Sequence, residues 1–136
     1  MSAPAVACII PARLGSTRFP RKLLVHLHGR PVIARTVERA LEAECFDEVV
    51  CLTDSEEIAA AARRAGCRAQ CCGPAENGTE RIAKNPGAVQ SPLVVNLQGD
   101  EPLFPLDLLR DLAAGLRNEP DSIHTGCRES PLSAAE

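Results

Sequence analysis

The stretch Val6-Ala7-Cys8-Ile9-Ile10, followed by Pro11-Ala12-Arg13-Leu14-Gly15-Ser16-Thr17-Arg18-Phe19-Pro20-Arg21-Lys22, decides the reading of this chain. An apolar run without polar alternation is the pattern of a short strand covered on both faces, as strands of parallel sheets are. Proline lacks an amide hydrogen, so Pro11 is expected to end that strand. The loop that follows carries a glycine, two hydroxyls and four cations. That is the chemistry of an anion-binding turn after a first strand.

Outward from this point, strand and helix signals alternate. Pro31 to Ala43 places Ile33, Val37 and Leu41 on one helical stripe, with Arg35, Arg39 and Glu42 away from it and Pro31 suited to the first turn. Glu48 to Leu52 reads as a second strand. Asp54 or Ser55 can cap a helix over Glu56 to Ala65, whose acids face the positive end of the helix dipole and which Gly66 can stop in a left-handed conformation. Cys67 to Cys72 reads as a third strand, a polar loop leads to a helical turn from Thr79, and Leu93 to Leu97 reads as a fourth strand entering Gln98-Gly99-Asp100-Glu101-Pro102. A further helix is expected over Leu106 to Arg117. This alternation predicts a doubly wound α/β sheet, in which ligands bind beyond the C-terminal ends of the strands.

The 136 residues are enough for one domain with its own core. No apolar run approaches the ~20 residues that cross a bilayer. The N-terminus lacks a basic segment followed by a longer apolar one, which predicts a cytoplasmic protein. In that compartment the seven cysteines read as small buried hydrophobes, and core packing is expected for Cys67, Cys71 and Cys72, which lack paired zinc-site spacing. His26 and His28 are expected to alternate in a strand and share one face. With no Trp or Tyr, three Phe and a net charge of -3, a nucleic-acid partner is poorly supported. The charge is uneven: residues 1–39 carry +6 and the remainder -9. A basic segment on an acidic chain suggests a small anionic ligand.

Three segments carry candidate chemistry. In the first loop, Arg13, Arg18, Arg21 and Lys22 can converge on one polyphosphate while Gly15, Ser16 and Thr17 offer close backbone approach and hydroxyls; a solvated basic loop is the alternative. The spacing is neither GxxxxGK[ST] nor GxGxxG, which excludes an ordinary P-loop or dinucleotide fingerprint. At the end of the fourth strand, Asp100 stands where a carboxylate can share Mg²⁺ with substrate phosphates, against the alternative of a plain Asx turn. In the third, Asn77-Gly78-Thr79-Glu80-Arg81, a tight turn opens a helix whose amides can face a base or a phosphate, against a simple loop-to-helix junction.

The segments IIPARLGSTRFPRKLL, GRPVIARTVERA, LTDSEEIAAAARRAG, NGTERIA and VVNLQGDEPLFP occur in an order that closely resembles the CMP-Kdo synthetases, the 3-deoxy-manno-octulosonate cytidylyltransferases. The resemblance runs from about Ala7 to about Arg117. It implies a Rossmann-like, three-layer (GT-A-like) nucleotidyltransferase fold with a mainly parallel sheet. It also implies transfer of CMP from CTP to the anomeric hydroxyl of Kdo, with release of pyrophosphate, for lipopolysaccharide assembly in the cytoplasm. By motif position, Arg13 and Lys22 would hold the triphosphate, with Leu14, Gly15, Ser16, Thr17 and Arg18 lining the same loop. Asn77, Gly78, Thr79 and Arg81 would close over the cytidine, Gln98 would reach toward the sugar, and Asp100 would ligate Mg²⁺. Arg13, Lys22 and Asp100 are thus the expected catalytic groups.

Two departures from the family pattern stand out. Arg21-Lys22 replaces the usual Gly-Lys and adds a cation to the loop. The family's chains run to roughly twice this length, and their later half supplies most of the Kdo pocket, a second metal-binding aspartate and the contacts of a homodimer. The chain therefore reads as one nucleotide-binding domain, the N-terminal part of such an enzyme. A non-catalytic nucleotide-binding module and a cytidylyltransferase for another acidic sugar are the competing readings.

Overall fold

A computed structural model describes residues 4–14, 22–73, 78–85 and 87–118. Strands β1 (Val6–Ala12), β4 (Glu48–Thr53), β5 (Arg68–Cys71) and β6 (Leu93–Asn96) form a parallel sheet in the order β5-β4-β1-β6. Helices α1 (Val32–Glu42), α2 (Glu56–Ala65), α3 (Gly78–Ala83) and α4 (Leu106–Asn118) connect and follow them, and β2 (His26–Leu27) with β3 (Arg30–Pro31) makes a small antiparallel hairpin.

Every residue of β1 is buried, as its unbroken apolar run requires. Val6, Cys8, Ile10 and Ala12 point into a core shared with Ile33 and Val37 of α1, Ile58 and Ala62 of α2, and Leu109 and Ala113 of α4. Ile9 points the other way, with Val50 and Leu52, toward Ala88 and Ile82 of α3. The sheet is therefore the middle of three layers. The order of strands explains the layering: β1 to β4 to β5 advances in one direction, and the return to β6 reverses it. Crossovers of one hand then put α1 and α2 on one face and α3 on the other.

Pro11 does not end the first strand. It lies inside β1, in register with Leu52. Its carbonyl faces the β6 side and accepts the Gly99 amide at 3.1 Å, and its nitrogen shares that edge. The β1–β6 ladder closes at Ile9 and Asn96, and past it the pairing is one-sided: the Leu97 and Gly99 amides still donate to the Ile9 and Pro11 carbonyls, while Pro11 has no N–H to return.

The hairpin likewise departs from expectation. His26 is in β2, but His28 sits in the turn with φ 54°, followed by Gly29 at φ 85°. Two residues of positive φ match the twist of a tight hairpin, so the two histidines do not share a strand face. Pro31 closes this hairpin as the N-cap of α1 instead of entering its first turn. On α1 the buried face is Ile33, Ala34, Thr36, Val37 and Ala40, and Leu41 is 37% exposed. A strict four-residue stripe drifts around a 3.6-residue helix, and here the drift carries Leu41 off the core.

Helix α2 begins and ends as the sequence predicts. Ser55 Oγ accepts the Ile58 amide, and Gly66 stops the helix at φ 117°. Asp47 and Glu48 anchor the start of β4. The Val6 amide and Arg117 hold the Asp47 carboxyl below the usual carboxylate range, and Ser91, with the Gln90 and Ser91 amides, does the same for Glu48. Cys8, Cys51 and Cys67 are buried, and burial raises all three thiols, Cys67 to about 11. Cys71 is exposed and Cys72 half-buried, so the expectation of core packing fails for Cys71 and holds only partly for Cys72. Both fall at the C-terminal end of the edge strand β5, where little covers them.

Candidate active site

The reversal of strand order falls between β1 and β6, and in doubly wound sheets ligands bind beyond the C-terminal strand ends at such a point. Four segments meet at this edge. The first is the exit from β1. Arg13 is exposed, and the Leu14 amide donates to Asp54 Oδ1 at 3.0 Å. Asp54 is the first residue after β4, and because Ser55 caps α2, its carboxylate is released for this contact.

The second segment is the short 3-10 turn Lys22–Leu24. Leu23 is buried against the sheet, which holds Lys22 at this edge. Its Nζ lies 3.3 Å from Asp100 Oδ2, with both side chains about half exposed at 48% and 47%. An ion pair in that setting contributes about 0.2–1 kcal/mol. A bound phosphate and cation can therefore exchange places with it at little cost.

The third is the extension of β6. Leu97 and Gly99 donate their amides to Ile9 and Pro11, continuing the climb alongside β1, and Thr36 Oγ1 of α1 donates to the Gly99 carbonyl at 2.7 Å. A Cβ at Gly99 would lie 3.1 Å from Ala12 Cβ and 3.2 Å from both Leu23 Cδ1 and the Pro11 carbonyl, so glycine permits this close approach. The turn presents Gln98 and Asp100 to solvent. Gln98 Nε2 donates to Asn96 Oδ1 at 3.2 Å.

The fourth is the start of α3. A Cβ at Gly78 would lie 2.8 Å from both Pro11 Cγ and Gln98 Nε2, which brings the helix start directly against β1 and Gln98. Arg81, one turn on, is 3% exposed. Its Nη1 donates to the Gly73 carbonyl and Cys72 Sγ, and its Nη2 lies 3.9 Å from Asp54 Oδ2.

Of the residues singled out from sequence, Arg13, Leu14, Lys22, Gly78, Gln98 and Asp100 are brought to one edge, and Thr79 lies in α3 beside Gly78. Arg81 is turned inward behind that edge. Gly15, Ser16, Thr17, Arg18, Arg21 and Asn77 lie outside the described residues. Asp54 and Thr36 join the site without being among the residues that the motifs single out. An acid following a strand, as Asp100 does, was a visible signal for Asp54; nothing local marked Thr36, whose partner is Gly99.

A parallel three-layer sheet with a cationic exit from its first strand and an acid at its switch point has the form of a nucleotidyltransferase. At 34% identity it superposes on the structure of CMP:2-keto-3-deoxy-manno-octonic acid synthetase complexed with CTP, with a TM-score of 0.80 over 85% of this chain and 48% of that one. A cytidylyltransferase from Leptospira borgpetersenii, 22% identical, shares the fold with a TM-score of 0.70. The chain belongs to the cytidylyltransferase family, whose model matches residues 7–132. Similar sequences include the 3-deoxy-manno-octulosonate cytidylyltransferase of Anaeromyxobacter dehalogenans strain 2CP-1, 52% identical over 73% of this chain and 42% of that protein. The enzyme of the same name from Anaeromyxobacter sp. strain K is 42% identical over 96% of this chain and 54% of its own length. The chain thus spans about half the length of the curated relatives it matches.

Proposed function

We propose that this chain forms the nucleotide-binding domain of a 3-deoxy-manno-octulosonate cytidylyltransferase, acting in the cytoplasm in lipopolysaccharide assembly. The observation that carries this reading is the meeting of Lys22 with Asp100 at the switch point, beside Arg13 and Gln98. Arg13 and Lys22 bind the triphosphate of CTP, with Leu14, Gly15, Ser16, Thr17 and Arg18 along the same loop. Asn77, Gly78 and Thr79 border the cytidine, and Gln98 orients the sugar. The anomeric oxygen of Kdo forms a bond to the α-phosphorus while the bond to pyrophosphate breaks in line. The protein's part is to position the two and to neutralise charge.

The donor set suits Mg²⁺. Asp100 is a half-exposed carboxylate beside Lys22. Mg²⁺ is commonly held by one or two carboxylates, with water and substrate phosphates completing its shell. When bound, the ion would offset the negative charge of the triphosphate.

Calorimetric titration with CTP, with and without Mg²⁺, tests the reading. CTP is expected to bind more tightly with Mg²⁺, and Lys22→Ala and Asp100→Ala are each expected to weaken that binding by about tenfold, the loss of one charge-assisted contact. A folded chain that does not bind CTP refutes the reading. Pyrophosphate release on adding Kdo, compared with sialic acid, distinguishes a complete reaction from nucleotide binding alone and identifies the sugar.

A further inference from the structure

Asp54 has a place in the fold that capping does not explain. Ser55 accepts the Ile58 amide at the start of α2, so the Asp54 carboxylate, although adjacent, has no part in the cap. It reaches instead across the C-terminal edge of the sheet from β4 to β1. There Oδ1 accepts the Leu14 amide at 3.0 Å, while Oδ2 faces Arg81 Nη2 at 3.9 Å. The two ends of this arrangement differ in character. Leu14 stands at the rim, whereas Arg81 is 3% exposed and fixed by the Gly73 carbonyl and the Cys72 sulfur. The buried guanidinium supplies a stationary positive charge behind the carboxylate, and the carboxylate holds the backbone where it leaves β1. A hydrogen bond from a backbone amide to a charged acceptor, supported by a cation, is stronger than a neutral one.

We infer that Asp54 is a positioning residue for the phosphate-binding segment: backed by Arg81, it fixes the Leu14 amide and so the direction in which Arg13 and Leu14 meet the nucleotide. This rests on the proposed CTP-binding function, and it gives Arg81 an indirect role behind the site, distinct from contact with the cytidine. It also ties three parts of the edge together, the exits of β1 and β4 and helix α3, through two side chains.

The test compares Asp54→Ala and Asp54→Asn with the unaltered chain in two measurements: CTP affinity in Mg²⁺ by calorimetry, and hydrogen exchange at the Leu14 amide by NMR without nucleotide. Asparagine keeps an acceptor oxygen for Leu14 and alanine does not. Asp54→Ala is expected to weaken CTP binding by about tenfold and to release the Leu14 amide to exchange, while Asp54→Asn, which keeps the acceptor oxygen without its charge, recovers part of both. Asp54 is a third exposed, so truncation opens no cavity, and circular dichroism confirms that each variant is folded. Failure of the unaltered chain to bind CTP overturns the proposed function, and the Leu14 exchange still decides the positioning role. If the Leu14 amide is equally protected in Asp54→Ala, or if that variant binds CTP as the unaltered chain does, the inference is wrong. Equal loss in Asp54→Asn and Asp54→Ala also overturns it, because the acceptor oxygen is then not what matters.

Discussion

Replacing Thr36 with valine tests whether helix α1 sets the position of the Gln98–Asp100 turn. Thr36 is fully buried, and its Oγ1 lies 2.7 Å from the Gly99 carbonyl and 3.3 Å from that of Val32. One hydroxyl hydrogen serves one acceptor well, and the shorter contact across the fold is the stronger of the two. Valine keeps the shape and removes the donor. A buried carbonyl left without its partner costs about 1–3 kcal/mol. The methyl that replaces the hydroxyl offsets up to about 0.8 kcal/mol of this by apolar burial. With the full offset the expected net destabilisation is about 0.2–2.2 kcal/mol. Urea unfolding, with a slope of about 1–3 kcal/mol per molar for a small domain, reads this as a lowered midpoint. The amide resonances of Gly99 and Asp100 are expected to shift as well, because the turn has lost its tie to α1. Thr36→Ser is the control: it retains the donor and gives up a methyl, so it loses stability while those resonances stay in place. A Thr36→Val protein with an unchanged midpoint and unmoved Gly99 and Asp100 signals would refute the reasoning.

Two further outcomes follow from the same structure. Asp47 and Glu48 titrate below the usual carboxylate range in the folded chain, so their contribution is complete at neutral pH, above the ordinary carboxylate pKa of the unfolded state. It declines as the pH falls through that value toward the depressed folded one, where protonation breaks the contacts. Glu48→Gln, which weakens charge-assisted bonds to Gln90, Ser91 and Arg68, is expected to lose about 1.5–3 kcal/mol at pH 7 and to show a shallower acid-side decline in unfolding measured across pH 3–6. An unchanged slope would count against this assignment. Thiol labelling followed by peptide mapping should modify Cys71 in the native protein and reach Cys8, Cys51 and Cys67 only on unfolding, since those three are buried with raised pKa values. Native-state labelling of Cys51 ahead of Cys71 would contradict the packing described.

What could be read from sequence divides along a physical line. Ser55, Gly66 and the alanines between them define α2 through interactions only a few residues long, and the helix falls on Glu56–Ala65 as expected. The run from Val6 to Ile10 likewise announced a buried strand, because burial on both faces is written into its composition. Departures occur where the deciding partner is distant. Pro11 remains in β1 because its carbonyl still accepts the Gly99 amide and its place beside Leu52 of β4 is kept, partners that lie far away in sequence. Leu41 is exposed because its position on α1 has drifted past the core. The His28–Gly29 turn has a weaker local signature, because it lacks the Asn-Gly or Asp-Gly pair that marks a two-residue hairpin turn. In the site, Lys22, Gln98 and Asp100 were recognisable by motif. The bonds that hold it, Thr36 to Gly99 and Leu14 to Asp54, join residues far apart in sequence and have no local signature.

The reversed strand order also imposes a schedule on the chain as it is made. Residues enter the world from the N-terminus, so β1, β4 and β5 with their helices are available before β6 exists, and one long side of β1 waits for Leu93 to Asn96 to arrive. During that interval the fully buried strand β1 offers unpaired backbone groups, the condition under which nascent chains join one another instead of themselves. The cationic segment is complete by Lys22, whereas its acidic counterpart Asp100 emerges last among the four parts of the edge. Synthesis therefore passes through a stage with the anion-attracting residues present and the partner that restrains Lys22 still to come.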